Sequence, residues 1–258
     1  MSTARGAPTF RARSGDEDVC ALFDTGSDKT FVDIALADRL GLKIGELSKE
    51  ARSLTGTLPV SRVFAVPVEV PGQFRFQGSL HAVALPKLDC ADGTRLSLIL
   101  GQEFVNAMVI LTDNTSKRIA FHASGYVKPD ADKYVRIPWS GNTVSGQVAG
   151  RKAILKVDTG SATDLAFQAK HFDTFFADRD RTTLAVSTNA SGRQDESVGI
   201  AAVEYQIEAV AKVGDVKRVA DREAPYVGNL GYPFFAEAMT IFDAGKGAIW
   251  LQNQGESH

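Results

Sequence analysis

Short runs of apolar residues, many of them β-branched or aromatic, alternate with turn signals along most of the chain, and helical periodicity is scarce. Dipeptides such as Pro71-Gly72 and Asp92-Gly93 mark the turns. This pattern is typical of a mainly β fold. The clearest predicted strands cover residues 63–70, 74–85, 97–100, 152–157 and 203–210.

One short helix is predicted over residues 32–40. Leu36 and Leu40 lie one helical turn apart on the same face, and Gly41 follows them as a residue suited to a left-handed helix end. We expect this helix to be a minor element of the β fold.

Two distant segments of the chain resemble each other. Residues 100–121 align without a gap with residues 230–251, and the alignment places Asp113 on Asp243. Upstream of each segment, an apolar residue is followed by Asp-Thr-Gly-Ser. The aspartates of these two motifs lie 77 residues before Gly101 and 73 residues before Gly231, the second residues of the repeated segments. The same signals in the same order indicate an internal duplication.

We therefore predict two homologous lobes, residues 15–125 and 135–255. A polar linker over residues 126–134 would join them, and residues 1–14 would form a flexible N-terminus. Because one chain carries both motifs, a single copy would suffice for one site, so we expect a monomer.

The two motifs point to a pair of catalytic carboxylates, Asp24 and Asp158. Each follows an apolar run that predicts a buried strand, so each aspartate emerges at a strand end. A glycine two residues on permits a tight turn and a close approach of another backbone. We expect each serine hydroxyl to donate to its neighbouring carboxylate, and each threonine hydroxyl to bond across to the other half. These supporting residues are Thr25, Gly26, Ser27, Thr159, Gly160 and Ser161.

Two carboxylates held together cannot both ionise cheaply, so they share one proton, as in well-known aspartate dyads. The ionised member could act as general base on a water molecule, and the protonated member could hydrogen-bond the scissile carbonyl. No metal, organic cofactor or covalent intermediate is needed. Catalytic water is therefore the only co-reactant predicted. The expected serine donors favour the charged form, which suggests an acidic to mildly acidic optimum.

These motifs resemble those of the pepsin and retropepsin superfamily of aspartic peptidases. Residues 22–27 read Leu-Phe-Asp-Thr-Gly-Ser, and residues 99–101 supply the Ile-Leu-Gly that supports the active-site loop in that family. Residues 156–161 and 229–231 are the corresponding elements of the second half. The resemblance covers nearly the whole chain.

The resemblance implies a mainly β fold of two retropepsin-like β-barrel lobes with short helices, and an active site in the cleft between them. It also implies an aspartic endopeptidase acting on protein or peptide substrates. Halves of roughly 110–120 residues are closer to retropepsin lobes than to pepsin lobes. The chain thus resembles a fused, single-chain retropepsin pair of the type found in bacterial proteins. Lys156 and Asn229 depart from the apolar residues of the family pattern.

The resemblance also suggests substrate contacts. Asp28 matches the retroviral pattern in which this aspartate binds the substrate backbone, whereas the second half has Ala162 there. Hairpin flaps are expected over residues 53–61 and 187–192, which also read as mobile surface hairpins and lack the aromatic residue of pepsin-like flaps. The predicted flap contacts are Thr55, Gly56, Ser191 and Gly192.

The composition gives no support for nucleic-acid binding, a membrane helix or a metal site. With 29 basic and 31 acidic residues, the formal net charge of −2 gives no electrostatic reason to expect nucleic acid. No apolar run reaches the roughly 18 residues of a membrane helix. The four histidines are isolated and show no metal-ligand spacing. A non-catalytic peptide-binding module is the alternative function, although such a module would need neither aspartate.

The sequence is compatible with more than one cellular location. The N-terminal residues lack the apolar segment of a signal peptide, and a periplasmic or secreted location would fit if a signal had been trimmed. Cys20 and Cys90 could form one disulfide in an oxidising compartment or remain two separate thiols, and the sequence leaves both readings open.

Overall fold

The computed structural model describes residues 2–4, 6–53, 56–85, 88–90, 92–188 and 194–253. Most of these residues lie in strands, as the pattern of short apolar runs predicts. The strands up to residue 123 are β1 (Ser2–Ala4), β2 (Ala7–Ser14), β3 (Glu17–Phe23), β4 (Phe31–Asp33), β5 (Ile44–Ser53), β6 (Gly56–Val70), β7 (Phe74–Val83), β8 (Leu96–Leu100), β9 (Met108–Asp113) and β10 (Arg118–Ala123).

The remaining strands are β11 (Tyr134–Pro138), β12 (Thr143–Val148), β13 (Arg151–Asp158), β14 (Leu165–Gln168), β15 (Thr182–Thr188), β16 (Gln194–Ile207), β17 (Val210–Val219), β18 (Gly228–Gly231), β19 (Thr240–Asp243) and β20 (Ala248–Gln252). The α-helices are short and are α1 (Ile34–Arg39), α2 (Gln102–Val105), α3 (Ala169–Phe175) and α4 (Pro233–Ala236).

Two sheets share one topology. The first has the strand order β1-β2-β3-β8-β4-β7-β6-β5, and the second has the order β12-β13-β18-β14-β17-β16-β15. Additional pairings of β2 with β6 and of β12 with β16 close six strands of each sheet into a barrel. The fold is therefore mainly β with two barrel lobes of matching strand order, as predicted.

A third sheet joins the lobes, in the order β10-β9-β19-β20-β11. The segments that repeat in the sequence form its centre, each as a short helix followed by a hairpin, α2-β9-β10 and α4-β19-β20. Leu111 on β9 pairs with Ile241 on β19, its own equivalent in the repeat. An approximate two-fold axis therefore passes through this pair.

The two edges of the joining sheet differ. Strand β11 pairs with β20 at one edge. At the other edge the side chain of Gln73 caps β10, because its Oε1 accepts the Phe121 N–H at 2.8 Å. The approximate two-fold symmetry therefore ends at the rim of the sheet.

Aromatic contacts connect the first barrel with the joining sheet. Phe23, at the end of β3, lies edge-on to Phe242 of β19 with ring centroids 5.1 Å apart. Phe242 also contacts Phe235 and Trp139. All four side chains are buried. Burial of such large rings contributes a few kcal/mol each and fixes the strand that leads to Asp24.

The structure corrects two expectations about individual segments. The predicted flexible N-terminus is wrong for residues 7–14, because these form β2, which pairs with β3 and buries Phe10 and Ala12. The predicted strand over residues 203–210 is confirmed for residues 203–207, which end β16, and is wrong beyond them, because the chain turns at Glu208, in a left-handed conformation, and Val210 begins the antiparallel strand β17. Its apolar residues belong to two antiparallel strands, which a linear pattern cannot separate.

The predicted helix is confirmed as α1, with Leu36 fully buried and Gly41 at φ 61° just beyond its end. In the part of the chain that the structure describes, no helix is long and apolar enough to cross a membrane.

A disulfide joins Cys20 on β3 to Cys90, whose Cα atoms lie 6.3 Å apart and whose sequence separation is 70 residues. Both residues are buried in a small apolar cluster with Val60, Val83 and Leu96. The bridge therefore ties the strand that leads to Asp24 to the segment before β8.

Replacing both cysteines by alanine should lower the free energy of unfolding by roughly 2–4 kcal/mol, because the bridge restricts a long loop of the unfolded chain. Urea unfolding monitored by tryptophan fluorescence measures this. Dithiothreitol should destabilise the wild-type protein by a similar amount and leave the double variant unchanged. Equal sensitivity of both proteins to the reductant would contradict the bridge.

Candidate active site

Asp24 and Asp158 occupy equivalent positions at the ends of parallel strand pairs. Asp24 directly follows β3, and its N–H donates to the carbonyl of Leu100 on β8 at 3.0 Å. Asp158 is the last residue of β13 and lies in register with Gly231 on β18. Both barrels therefore present an aspartate at the same end of the same pair of strands.

The threonines that follow the aspartates join the two loops through crossed hydrogen bonds. The Thr25 N–H donates to Thr159 Oγ1 at 2.9 Å, and the Thr159 N–H donates to Thr25 Oγ1 at 3.0 Å. Each hydroxyl also donates into the opposite lobe, Thr25 to the carbonyl of Val157 and Thr159 to that of Phe23. Both threonines are fully buried, and the predicted bonding across the halves is present.

This network brings each aspartate against the glycine of the opposite motif. A Cβ atom added to Gly160 would lie 2.6 Å from Asp24 Cγ, and one added to Gly26 would overlap the carboxyl of Asp158. Any side chain at either glycine would displace a carboxyl group. The two carboxyls also lie within hydrogen-bonding contact of each other.

The hydrogen bonds to the two carboxyls differ. Asp24 Oδ1 accepts the N–H of Gly26 at 2.8 Å and that of Ser27 at 3.1 Å. Asp158 Oδ2 instead accepts from the side-chain amide of Asn229 at 2.6 Å. The pair is therefore symmetric in position and asymmetric in its donors.

The expected role of the serine hydroxyls is wrong. Ser27 Oγ donates to the carbonyl of Lys29 at 2.7 Å, and Ser161 Oγ donates to that of Thr163 at 3.5 Å. The hydroxyls stabilise the turns after the motifs, and backbone N–H groups take their place at Asp24. The motif alone does not distinguish these two donors, because both lie within three residues of the carboxylate.

Burial raises the pKa of both aspartates, because a charged carboxylate loses hydration in the contact between the lobes. For Asp24 the burial and the charge of Asp158 together raise the pKa to about 7, against the opposing bonds from Gly26 and Ser27. For Asp158 burial also raises the pKa, although Lys156 and Asn229 oppose it. The expectation that hydrogen bonds would lower the pKa of the pair is therefore wrong, since desolvation outweighs them.

Two polar residues at the site, Lys156 and Asn229, were visible in the sequence only as departures from the apolar pattern. They lie side by side in register on β13 and β18. The Lys156 ammonium donates to the carbonyl of Gly26 at 2.7 Å and contacts Asp28 Oδ1 at 3.2 Å, both in the opposite lobe. The sequence signal for these two site residues was that each is polar where the equivalent residue of the first half is apolar.

Two further residues were not anticipated. The side-chain amides of Gln102 and Asn142 both donate to the carbonyl of Thr25, at 2.7 Å and 2.5 Å. The indole N–H of Trp139 in turn donates to Asn142 Oδ1 at 3.2 Å and so orients the Asn142 side chain. These contacts hold the first loop from both halves of the chain, and no motif indicated them.

The predicted substrate contacts have different outcomes. Asp28 lies beside the dyad loop with its side chain 84% exposed, and its carboxylate pairs with Lys156. Gly56 is the first residue of β6 and pairs with Ser53 of β5. Thr55, Ser191 and Gly192 lie outside the described residues. Strands β15 and β16 pair as far as Thr188 and Gln194, so antiparallel strands flank both predicted flap regions.

No group of three or more His, Cys, Asp or Glu side chains in the described ranges is placed to hold a metal ion. The residues of the site are instead two carboxyls with amide, ammonium and backbone donors around them. Such a set can bind and polarise a water molecule and the carbonyl of a substrate.

Comparison with known proteins supports this reading of the first lobe. Residues 10–104 match the model of a family described as aspartyl protease, a range that includes the first Asp-Thr-Gly-Ser motif and Gly101. The first lobe is therefore similar to that family over the segment that carries Asp24. A search of curated proteins finds no significant match.

Replacing Thr25 by valine should lower the free energy of unfolding by roughly 2–6 kcal/mol. The change leaves the Thr159 N–H and the Val157 carbonyl without their partner in the interior, and each such loss costs about 1–3 kcal/mol. Chemical unfolding measures the effect. Thr25→Ser is the control, because it keeps the hydroxyl and should stay close to wild type. Equal losses in both variants would rule out the hydrogen bonds as the cause.

The raised pKa of Asp24 makes stability depend on pH. Since the folded state keeps a proton up to about pH 7 that the unfolded state releases near pH 4, this carboxyl stabilises the fold fully below pH 4 and loses that contribution as the pH rises through 7. Asp24→Asn stays neutral and can still accept from Gly26 and Ser27. Its Tm should exceed the wild-type Tm at pH 8 and approach it at pH 4.

Calorimetric scans at pH 4, 6 and 8 test this. The surface variant Asp38→Asn serves as control, because its carboxylate lies in solvent on helix α1. A Tm difference between Asp24→Asn and wild type that stays constant with pH would show that the Asp24 pKa is not raised.

Proposed function

We propose that the protein is an aspartic endopeptidase in which Asp24 and Asp158 activate a water molecule to hydrolyse peptide bonds. The observation that carries the proposal is the contact between these two carboxyls, enforced by the crossed threonine bonds and accompanied by a raised pKa. The two lobes of matching topology further suggest a fused, retropepsin-like pair that arose by duplication.

The chemistry needs one protonated and one ionised carboxyl. The ionised carboxylate removes a proton from water while the water oxygen bonds to the substrate carbonyl carbon. The electron pair of the C=O bond moves to its oxygen, which takes the proton of the other carboxyl. The resulting diol returns that proton as the C–N bond breaks, and the leaving nitrogen receives the proton first taken from water. Both carboxyls end as they began, and the net reaction consumes one water.

Electrostatics sets the pH range of this state. The singly protonated pair exists between its two ionisations, and burial raises the upper one towards neutrality. We therefore expect activity from mildly acidic to near-neutral pH, with kcat/KM falling as the pH rises above about 7.

Substrate would bind as an extended peptide between the lobes. The hairpins β5–β6 and β15–β16 offer backbone groups that could pair with the peptide main chain. Asp28 is exposed beside the loop and could accept a peptide N–H. One chain supplies both halves of the site, so a monomer would suffice, and catalytic water would be the only co-reactant.

Digestion of a peptide library across pH tests the proposal. Asp24→Asn and Asp158→Asn should each lower cleavage by at least a thousandfold while circular dichroism stays unchanged, because each removes the acid or the base. Glu46→Gln, an exposed carboxylate on β5, is the matched control and should cleave normally. Wild-type activity should respond to a pepstatin-type inhibitor. Retained cleavage in either aspartate variant would reject the dyad, and peptide binding without turnover would favour a non-catalytic binding module.

A further inference from the structure

The two barrels carry different residues at one pair of equivalent positions. Two residues before Asp24, Leu22 on β3 lies in register with Ile99 on β8. At the same places in the second barrel, Lys156 lies in register with Asn229. The chain thus contains its own comparison, in which an apolar pair in one lobe is replaced by a polar pair in the other.

The apolar pair takes no part in hydrogen bonding at the dyad. Leu22 and Ile99 pack against the cluster around the disulfide between Cys20 and Cys90. Among the described residues, the hydrogen bonds to the Asp24 carboxyl come from the backbone of its own loop, and both reach Oδ1. The other oxygen, Oδ2, is therefore the one placed to carry the shared proton.

The polar pair acts on the other carboxyl. The side-chain N–H of Asn229 donates to Asp158 Oδ2, and this donated bond favours the charged form of that carboxylate. The ammonium of Lys156 lies on the same strand as Asp158 and is largely buried, with its side chain 13% exposed. Its bond to the carbonyl of Gly26 fixes that ammonium against the opposite loop.

We propose that Lys156 and Asn229 are positioning residues that break the symmetry of the dyad, keeping Asp158 ionised as the base and leaving the shared proton on Asp24. In the reaction, Asp158 would then take the proton from water, and Asp24 would give its proton to the substrate carbonyl oxygen. This assignment rests on the proposed peptidase function for its chemical meaning, although the ionisation states exist without substrate.

The charges around Asp158 agree with this assignment. The ionisable groups that influence Asp158 are Asp24, Lys156 and Arg222, while Asp28 contacts Lys156 from the other lobe. Lys156 is the largest influence lowering the pKa of Asp158, whereas at Asp24 its influence ranks behind those of Asp158 and the Gly26 N–H. Lys156 therefore favours ionisation of both carboxyls, and the hydrogen bond from Asn229 is the contact that distinguishes Asp158 from Asp24.

The test measures each carboxyl alone, by NMR titration of protein labelled with 13C at the aspartate carboxyls. In an Asp24→Asn background only Asp158 titrates within the dyad, and Asn229→Leu or Lys156→Met should each raise its pKa by about one pH unit or more. In an Asp158→Asn background, Asn229→Leu should move the pKa of Asp24 by less than half as much. Lys152→Met, an exposed lysine on the same strand, is the matched control and should move neither.

Two results would overturn the proposal: an unchanged Asp158 pKa in both variants, or equal changes at the two aspartates. Two variants are used in case one of them fails to fold. Lys156→Arg keeps the positive charge, so Asp158 should titrate in this variant as it does with Lys156 present. These titrations need no activity. If they follow the expectation while the wild-type protein cleaves no peptide, the proposed function fails and the assignment of charge survives.

Activity gives a second readout that a purely structural role would not move. Raising the pKa of Asp158 delays the first ionisation of the pair, so Asn229→Leu should shift the acidic limb of the kcat/KM profile about one pH unit upward. The basic limb and the KM at the optimum should stay close to wild type. A uniform loss of kcat at every pH would contradict the assignment.

Discussion

The crossed hydrogen bonds between Thr25 and Thr159 are the interaction on which the site depends. Each threonine is fully buried, and each hydroxyl both accepts a bond from the opposite loop and donates one to the opposite strand. Because a buried polar group without a partner is costly, the loops have one favourable arrangement. The aspartates precede these threonines by one residue, so satisfying the hydroxyls also brings the carboxyls together.

That arrangement places two acidic groups where each is hard to ionise. The barrels and the joining sheet hold the strands that end at Asp24 and Asp158, and their apolar contacts do not depend on the charge state of the pair. Phe23 against Phe242 is one such contact. The fold thus tolerates two carboxyls that lower its stability above neutral pH. The same burial raises their pKa, so that the pair keeps the shared proton that the proposed chemistry uses.

A single chain allows differences that two identical copies could not have. In a symmetric dimer a lysine two residues before the aspartate would occur in both halves. Here Lys156 and Asn229 occupy the positions in the second barrel that Leu22 and Ile99 occupy in the first. One half of the site is therefore polar where the other half is apolar. The joining sheet shows the same freedom at its rim, where β11 covers one edge and Gln73 caps the other.

The sequence by itself determined the β class, the repeated segments and the two Asp-Thr-Gly-Ser motifs, because strand periodicity and motif spacing are local properties of the chain. It also marked Lys156 and Asn229 as departures from a pattern. It could not show that Ser27 and Ser161 turn away from the carboxyls, that the chain turns back at Glu208, or that residues 7–14 join the first barrel.

Only the tertiary structure decided how the two halves act on each other. The donors to each carboxyl, the reach of Lys156 to Gly26 and the bonds of Gln102 and Asn142 to Thr25 all join residues far apart in the chain. The direction of the pKa change was decided in the same way. The desolvation of Asp24 depends on how much of both lobes surrounds its carboxyl. The sequence shows only which hydrogen-bond donors lie close to Asp24 along the chain.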